Sequence, residues 1–297
     1  MGLAASNVGR HWGPVDGRLD SRWTMAYAAG AGDDSACYYD TLAQPHAVHP
    51  VYPVSPEWSL LITDVAADEP WSLTDARQGV HATHDLVLHR TLQVGMAFSL
   101  TATVVSLEQR SPGAYQVVRF EARDAEGRAL WTSWMGTIFR GVGIEGRPTT
   151  IDAPVLVTAP SEGPLSSCSH FAVTVTDAHI YSECARIWNP IHTDASIARQ
   201  AGLDGPILHG TAILAKAVSH LSKRWDIKPP DVGRIACRFA SPARPGDVLT
   251  VRTGEPHTIG TETGVAFEVA NSYGHTVLRD GLLGVRRSPH PAGRSRG

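Results

Sequence analysis

The pattern of apolar and polar positions repeats itself along the chain. Residues 98–105 and 248–252 alternate with strand period, and each run follows a turn glycine, Gly95 and Gly246. Further on, Val118-Arg119-Phe120-Glu121-Ala122 and Val265-Ala266-Phe267-Glu268-Val269 alternate in the same sense. Both enter polar turns closed by glycine, Gly127 and Gly274, and apolar strands are predicted beyond them over 129–139 and 276–285. Turn chemistry and period together predict antiparallel hairpins in both halves. Ahead of each strand set the pattern turns helical, over 24–30 in the first half and 177–185 in the second, with Thr176 or Asp177 as N-cap. Tyr27 and Asp40 align with Tyr181 and Asp194. Two more helices are predicted over 194–201, capped by Asp194, and over 211–221, where Ile213, Leu214, Ala217, Val218 and Leu221 share a face.

A helix must bury its apolar stripe and a curved sheet must bury one face, so packing one into the other satisfies both. Two copies in tandem imply an internal version of a twofold dimer. The expected organisation is a first repeat over 1–150, a linker over 151–170, a second repeat over 171–288 and a disordered tail over 289–297.

Composition narrows the function classes. Hydrophobic residues make up 42% of the 297-residue chain, enough for a packed core. A net charge of -3 with no basic stripe argues against nucleic acid as partner. Residues 1–13 lack an apolar signal region and no run of 18 apolar residues exists, so a cytoplasmic protein without a membrane span is expected. Cys37, Cys168, Cys184 and Cys237 form no CxxC pair, which points to neither a zinc site nor a disulfide framework.

The chemistry concentrates in the second half. The stretch Tyr181-Ser182-Glu183-Cys184-Ala185-Arg186-Ile187-Trp188-Asn189-Pro190-Ile191-His192-Thr193-Asp194 resembles the hydratase signature of the MaoC-like family, Ser-Gly-Asp-x-Asn-Pro-apolar-His-x-Asp. Gly205-Pro206-Ile207-Leu208-His209-Gly210 resembles the family's second landmark, an apolar pair followed by His-Gly. The resemblance covers about 171–285, and the first half looks like the degenerate partner repeat of two-copy members, which include (R)-specific enoyl-CoA hydratases. It implies an α+β double hotdog, two antiparallel sheets each wrapping a central helix. It also implies a carbon–oxygen lyase that adds water to a 2-enoyl thioester or removes it from a 3-hydroxyacyl thioester.

In that resemblance His192 matches the catalytic histidine, with Asn189 in the same motif, and Gly210 matches the glycine whose N–H binds the thioester carbonyl. His209 either contacts substrate or holds a loop by hydrogen bonds. An imidazole near its ordinary pKa exchanges protons at neutral pH, and an N–H at a helix start stabilises a developing enolate. Glycine at 210 would also let substrate approach the backbone. No metal or cofactor is implied; CoA or phosphopantetheine enters as substrate carrier, and an acyl carrier protein is a conceivable partner. The internal repeat suits a monomer with an internal pseudo-dimer, and a homodimer stays open.

One position departs from the signature. The family's catalytic Asp falls on Ile187, and the Gly before it on Arg186. Glu183, one helical turn before Ile187, is a substitute acid, and Arg186 an electrostatic clamp. The alternatives are a cyclase or isomerase of oxa-Michael type on a polyketide-like substrate, or an acyl-ligand binder without turnover. In the first copy Asp33 aligns with position 187 and Tyr38 with 192; Asp33 and Asp34 read as a solvated turn or helix cap. Trp188 reads as a packed aromatic. His81, His84 and His89 read as strand and loop residues, with a function only as lining of the groove between copies.

Overall fold

The computed structural model describes residues 2–42, 46–65, 79–152, 163–259 and 262–286. The first copy carries β1 (Gly2–Ala4), β2 (His11–Arg18), α1 (Ser21–Gly30), α2 (Val54–Leu60), β3 (Gly79–Leu88), β4 (Ala97–Arg110), β5 (Gly113–Arg123), β6 (Ala129–Arg140), β7 (Gly143–Glu145) and β8 (Thr149–Thr150). The second carries β9 (Ser166–Ala172), α3 (Asp177–Ala185), α4 (Ala195–Gln200), α5 (Gly210–Trp225), β10 (Val232–Phe239), β11 (Val248–Thr253), β12 (His257–Ile259), β13 (Glu262–Asn271) and β14 (Thr276–Arg286).

The main sheet runs β2-β4-β5-β6-β3-β10-β14-β13-β11-β9. Outward from the β3–β10 seam, the two halves are laid down in the same order. This is the α+β double hotdog, with a pseudo-twofold axis through the seam. The seam is antiparallel, with His84 opposite Cys237 and Leu86 opposite Ile235. Asp85, 2% exposed, accepts from Nε and Nη2 of Arg234 at 2.9 and 2.6 Å, a two-pronged bond that pins β3 to β10.

The predicted hairpins form. Gly127 and Gly274 close them at φ of 77° and 82°, a region that costs glycine nothing. α5 is the central helix of the second copy. Its apolar face, including Ile213, Leu214, Val218 and Leu221, is buried against a core that also takes in Val251 and Phe267. Each such aliphatic side chain contributes roughly 1.5–3 kcal/mol. The first copy has a shorter counterpart, α2, in which Pro56 is accommodated in the opening turn, where helix N–H groups lack intrahelical partners. One core cluster runs through both copies, from Trp131, Phe120 and Leu86 to Ile213 and Phe267.

α1 and α3 pack together across the pseudo-axis. A Cβ on Gly30 would lie 2.6 Å from the Cβ of Cys184, so glycine sets how closely the helices approach. The Tyr27 and Tyr181 hydroxyls meet at 3.1 Å, and Tyr27 Oη is also within 3.1 Å of the Val51 carbonyl.

One boundary shifts from expectation. β9 starts at Ser166, inside the expected linker, and pairs with β11, so the second copy begins before residue 171. Its Ser-rich, largely exposed sequence has the composition of a loop and becomes a strand through edge pairing. The expected disordered tail over 289–297 lies outside the described residues. Among the described residues, no helix is long and apolar enough to cross a membrane.

Candidate active site

α3 ends at Ala185 because Arg186 takes the left-handed conformation at φ 57° and ψ 36°. The N–H of Ile187 then turns back onto the Ser182 carbonyl at 3.0 Å. A short 3-10 turn over Pro190–His192 follows, capped by Asn189, whose side-chain oxygen accepts from the Ile191 N–H at 3.3 Å. Proline at the first position pre-sets φ for that turn. Asp194 caps α4, accepting from the N–H groups of Ser196 and Ile197 at 2.7 and 3.1 Å.

His192 is partly buried. Its Nδ1 lies 2.8 Å from the Ile207 carbonyl, which can only accept, so Nδ1 carries the proton and Nε2 the lone pair. Burial pushes its pKa down to about 4 against the opposing pull of that carbonyl. This corrects the expectation of an imidazole near its ordinary value. At neutral pH the ring is an uncharged acceptor, and its conjugate acid is a strong donor.

His209 stacks on His192, with centroids 3.6 Å apart and planes at 22°. It is 2% exposed, and its Nε2 lies 3.2 Å from both the Ile187 carbonyl and the Ser182 hydroxyl. An N–H on Nε2 thus anchors the chain at position 187, while Nδ1 is buried without a partner. Burial first, and then the neighbouring His192, drive its pKa well below the ordinary value.

Gly210 opens α5, immediately after His209. N–H groups in a first helical turn have no intrahelical partner, and the helix dipole adds positive potential there. The glycine has a packing reason beyond substrate approach: a Cβ would lie 2.6 Å from the Phe239 ring. His192, His209 and the start of α5 therefore stand together.

Glu183 and Arg186 stand differently from expectation. The helix stops two residues before Ile187, so Glu183 and Ile187 do not share a helical face; Glu183 is exposed and Ile187 is 5% exposed. Glu183 instead lines a cleft of about 160 Å³ with Ser182, Trp188, Asn189, Pro190 and Thr193, the last two bracketing His192. Arg186 places its guanidinium over the Trp23 ring of the first copy, 4.9 Å from the centroid. Trp188 is 49% exposed at the cleft rather than packed. A larger cleft of about 480 Å³, edged by His89, Arg90 and Arg286, holds none of the predicted site residues.

Sequence reasoning missed Ser182 and the Tyr27–Tyr181 pair. The signal for Ser182 was its place in the signature stretch. Asp33 is buried, not solvated, at 3% exposure; Asp34 is the exposed member of the pair. Among the described residues, no group of three His, Cys, Asp or Glu is arranged to hold a metal ion.

Residues 158–273 match the family model described as MaoC like domain. The second half of the chain is therefore similar to a MaoC-like domain. The fold agrees across the whole chain. A MaoC-like dehydratase from Phytophthora capsici superposes with a TM-score of 0.81 at 19% identity, covering 96% of this chain and 97% of that one. A Mycobacterium tuberculosis protein described as a double hotdog superposes at 0.63 with 13% identity, over 94% of this chain and 96% of that one. Peroxisomal multifunctional enzyme type 2 of Drosophila melanogaster is 27% identical over 78% of this chain, and that of Mus musculus is 23% identical over 62%. The match spans 40% and 25% of those two relatives, less than half of either.

Proposed function

We propose that the protein is a hydratase/dehydratase acting at the 2,3-position of an acyl thioester carried on CoA or a carrier protein. The observation that carries this reading is the His192 tautomer: Nδ1–H is committed to Ile207, which leaves the Nε2 lone pair on a ring stacked against His209, the residue before α5. In the hydration direction Nε2 takes a proton from water as its oxygen bonds to C3. The electron pair moves to the thioester oxygen, where the Gly210 N–H stabilises the enolate. The imidazolium then returns the proton to C2, so atoms and charge balance with one histidine serving both steps. His209 holds the loop at Ile187 and backs the His192 ring, which makes it a positioning residue. Asn189 holds the turn that presents the ring. No metal or cofactor enters this scheme.

The test is direct. Incubation with crotonyl-CoA should deplete the enoyl absorbance, and no turnover on prolonged incubation would reject hydration.

A second reading has its own observation. Ile187 presents a buried apolar side chain where the signature has a carboxylate, so of the signature's two catalytic groups one is present. An intramolecular oxa-Michael closure, with an alcohol of the substrate in place of water, needs only one. A thioester binder without turnover is the third outcome of the same assay.

A further inference from the structure

The inner face of the first copy carries hydrogen-bonding atoms that no protein group satisfies. The register of β3, β6 and β5 sets side chains in rows: His81, Thr137 and Gln116; then His84, Met135 and Val118; then Leu86, Ser133 and Phe120. Over the third row α2 lays Glu57, fully buried, whose Oε1 accepts from Ser133 Oγ at 2.7 Å and Trp131 Nε1 at 2.8 Å. Glu57 Oε2, Gln116 Nε2, His81 Nε2 and both ring nitrogens of His84 are buried without a partner. Folded proteins leave few such atoms unpaired, and an interior that merely needed filling would repeat the Leu86 and Leu88 of the same strand.

The chemistry of these groups is that of neutral donors and acceptors. Burial raises Glu57 to about 8. With Oε1 already accepting twice, its proton at neutral pH belongs on Oε2, which becomes an unused donor. Burial lowers His81 to about 4 and His84 to about 3, so each ring offers an uncharged nitrogen donor or acceptor.

The strip starts at the reaction centre. The His81 ring lies 4.5 Å from that of Phe239, and Phe239 fills the space where a side chain on Gly210 would lie. His81 and His84 meet edge-on at 5.4 Å. An acyl chain whose carbonyl sat at the Gly210 amide and which passed Phe239 would meet His81, then His84, then Glu57.

We infer that this face binds the acyl portion of the substrate and selects a chain bearing hydroxyl or oxo groups beyond C3 over a plain alkyl chain of equal length. The inference rests on the thioester reading of the His192 site. Buried groups left unpaired by an alkyl chain penalise that chain, which is the stronger form of discrimination available to a binding site.

Calorimetry on the full chain with two saturated, unreactive thioesters, octanoyl-CoA and 7-hydroxyoctanoyl-CoA, tests this without requiring turnover. The hydroxylated chain should bind at least about tenfold more tightly. His84→Leu and Gln116→Leu should each collapse that ratio towards one. His84→Gln, which keeps a donor and an acceptor, should retain most of it and covers the event that His84→Leu fails to fold. Equal or tighter binding of octanoyl-CoA, binding of neither, or a ratio untouched by the leucine variants overturns the inference and leaves ordered water as the occupant. Crotonyl-CoA turnover is scored separately. Selective binding without turnover rejects only the hydratase reading; turnover without selectivity rejects only this one.

Discussion

At the end of α1 the N–H of Asp33 turns back onto the Ala28 carbonyl at 2.9 Å, and at the end of α3 that of Ile187 turns back onto Ser182 at 3.0 Å. Each is followed five residues on by the last residue of a 3-10 turn, Tyr38 in the first copy and His192 in the second. The backbone is shared and the side chains are exchanged: carboxylate with phenol on one side, isoleucine with imidazole on the other. The Asp33 carboxylate accepts from the Ser35 N–H and Oγ at 3.0 and 2.5 Å, with Lys223 at 3.9 Å. Burial would raise its pKa, but the hydrogen bonds from Ser35 and Ser219 outweigh it and hold the acid ionised. A histidine faces the aligned tyrosine in both copies, His49 at 5.5 Å from Tyr27 and His209 at 5.0 Å from Tyr181. In the first copy, though, His49 is locked between Ser219 and the Val51 N–H. One scaffold thus spends its acid on structure in the first half and keeps its base available in the second.

The sharpest way to break this contrast is His192→Ala, which should lower kcat/KM for crotonyl-CoA by about 10²–10⁴-fold, the usual reach of a general acid–base group. A loss below about tenfold would move the chemistry elsewhere. Acid comes next, because both copies bury neutral imidazoles. His49 and His192 fall to about 4 and His84 to about 3 in the fold, against an unfolded value of 6.5. Their contribution is complete above pH 6.5 and is lost as pH falls towards 4, at up to about 1.4 kcal/mol per pH unit for each. Urea midpoints should therefore drop steeply between pH 7 and 5; midpoints that stay level would contradict the burial.

Reciprocal swaps sharpen the comparison. Asp33→Ile, which gives the first copy the second's residue, strands the Ser35 donors and should cost about 1–3 kcal/mol by urea unfolding at pH 7, where the carboxylate is charged. An unchanged midpoint would remove its structural role. The converse, Ile187→Asp, should raise crotonyl-CoA hydration by about tenfold while lowering the melting temperature, since it buries a carboxylate. An unchanged or reduced rate would count against an eroded hydratase site and in favour of the single-base closure.

Much of the architecture was legible in sequence, for reasons visible in particular elements. α3 falls on 177–185 as read, because its apolar spacing is clear and the chain supplies an acidic first turn. α5 begins one residue earlier and ends four later than read, since its last turn is polar and carries no periodic signal. α2 was missed outright: it is seven residues long, contains Pro56, and is held by burial of Glu57 and Leu60 rather than by propensity. Within the site, the two motifs place His192 and Gly210 near each other, but the side-chain protonation came only with coordinates. The left-handed turn at Arg186 was invisible, because a non-glycine residue there gives no local warning. That single dihedral takes Ile187 off the helical face that carries Glu183.

The seam between β3 and β10 carries a further consequence. In an assembly of two identical subunits, every side chain placed at one mouth is forced upon the other, and dilution pulls both mouths apart. Here the joint lies within one polypeptide, so each half can drift alone while the ladder between them persists at any concentration. The split between a hydrogen-bonded carboxylate at one turn and an imidazole at the other is a freedom that a symmetric pair never has.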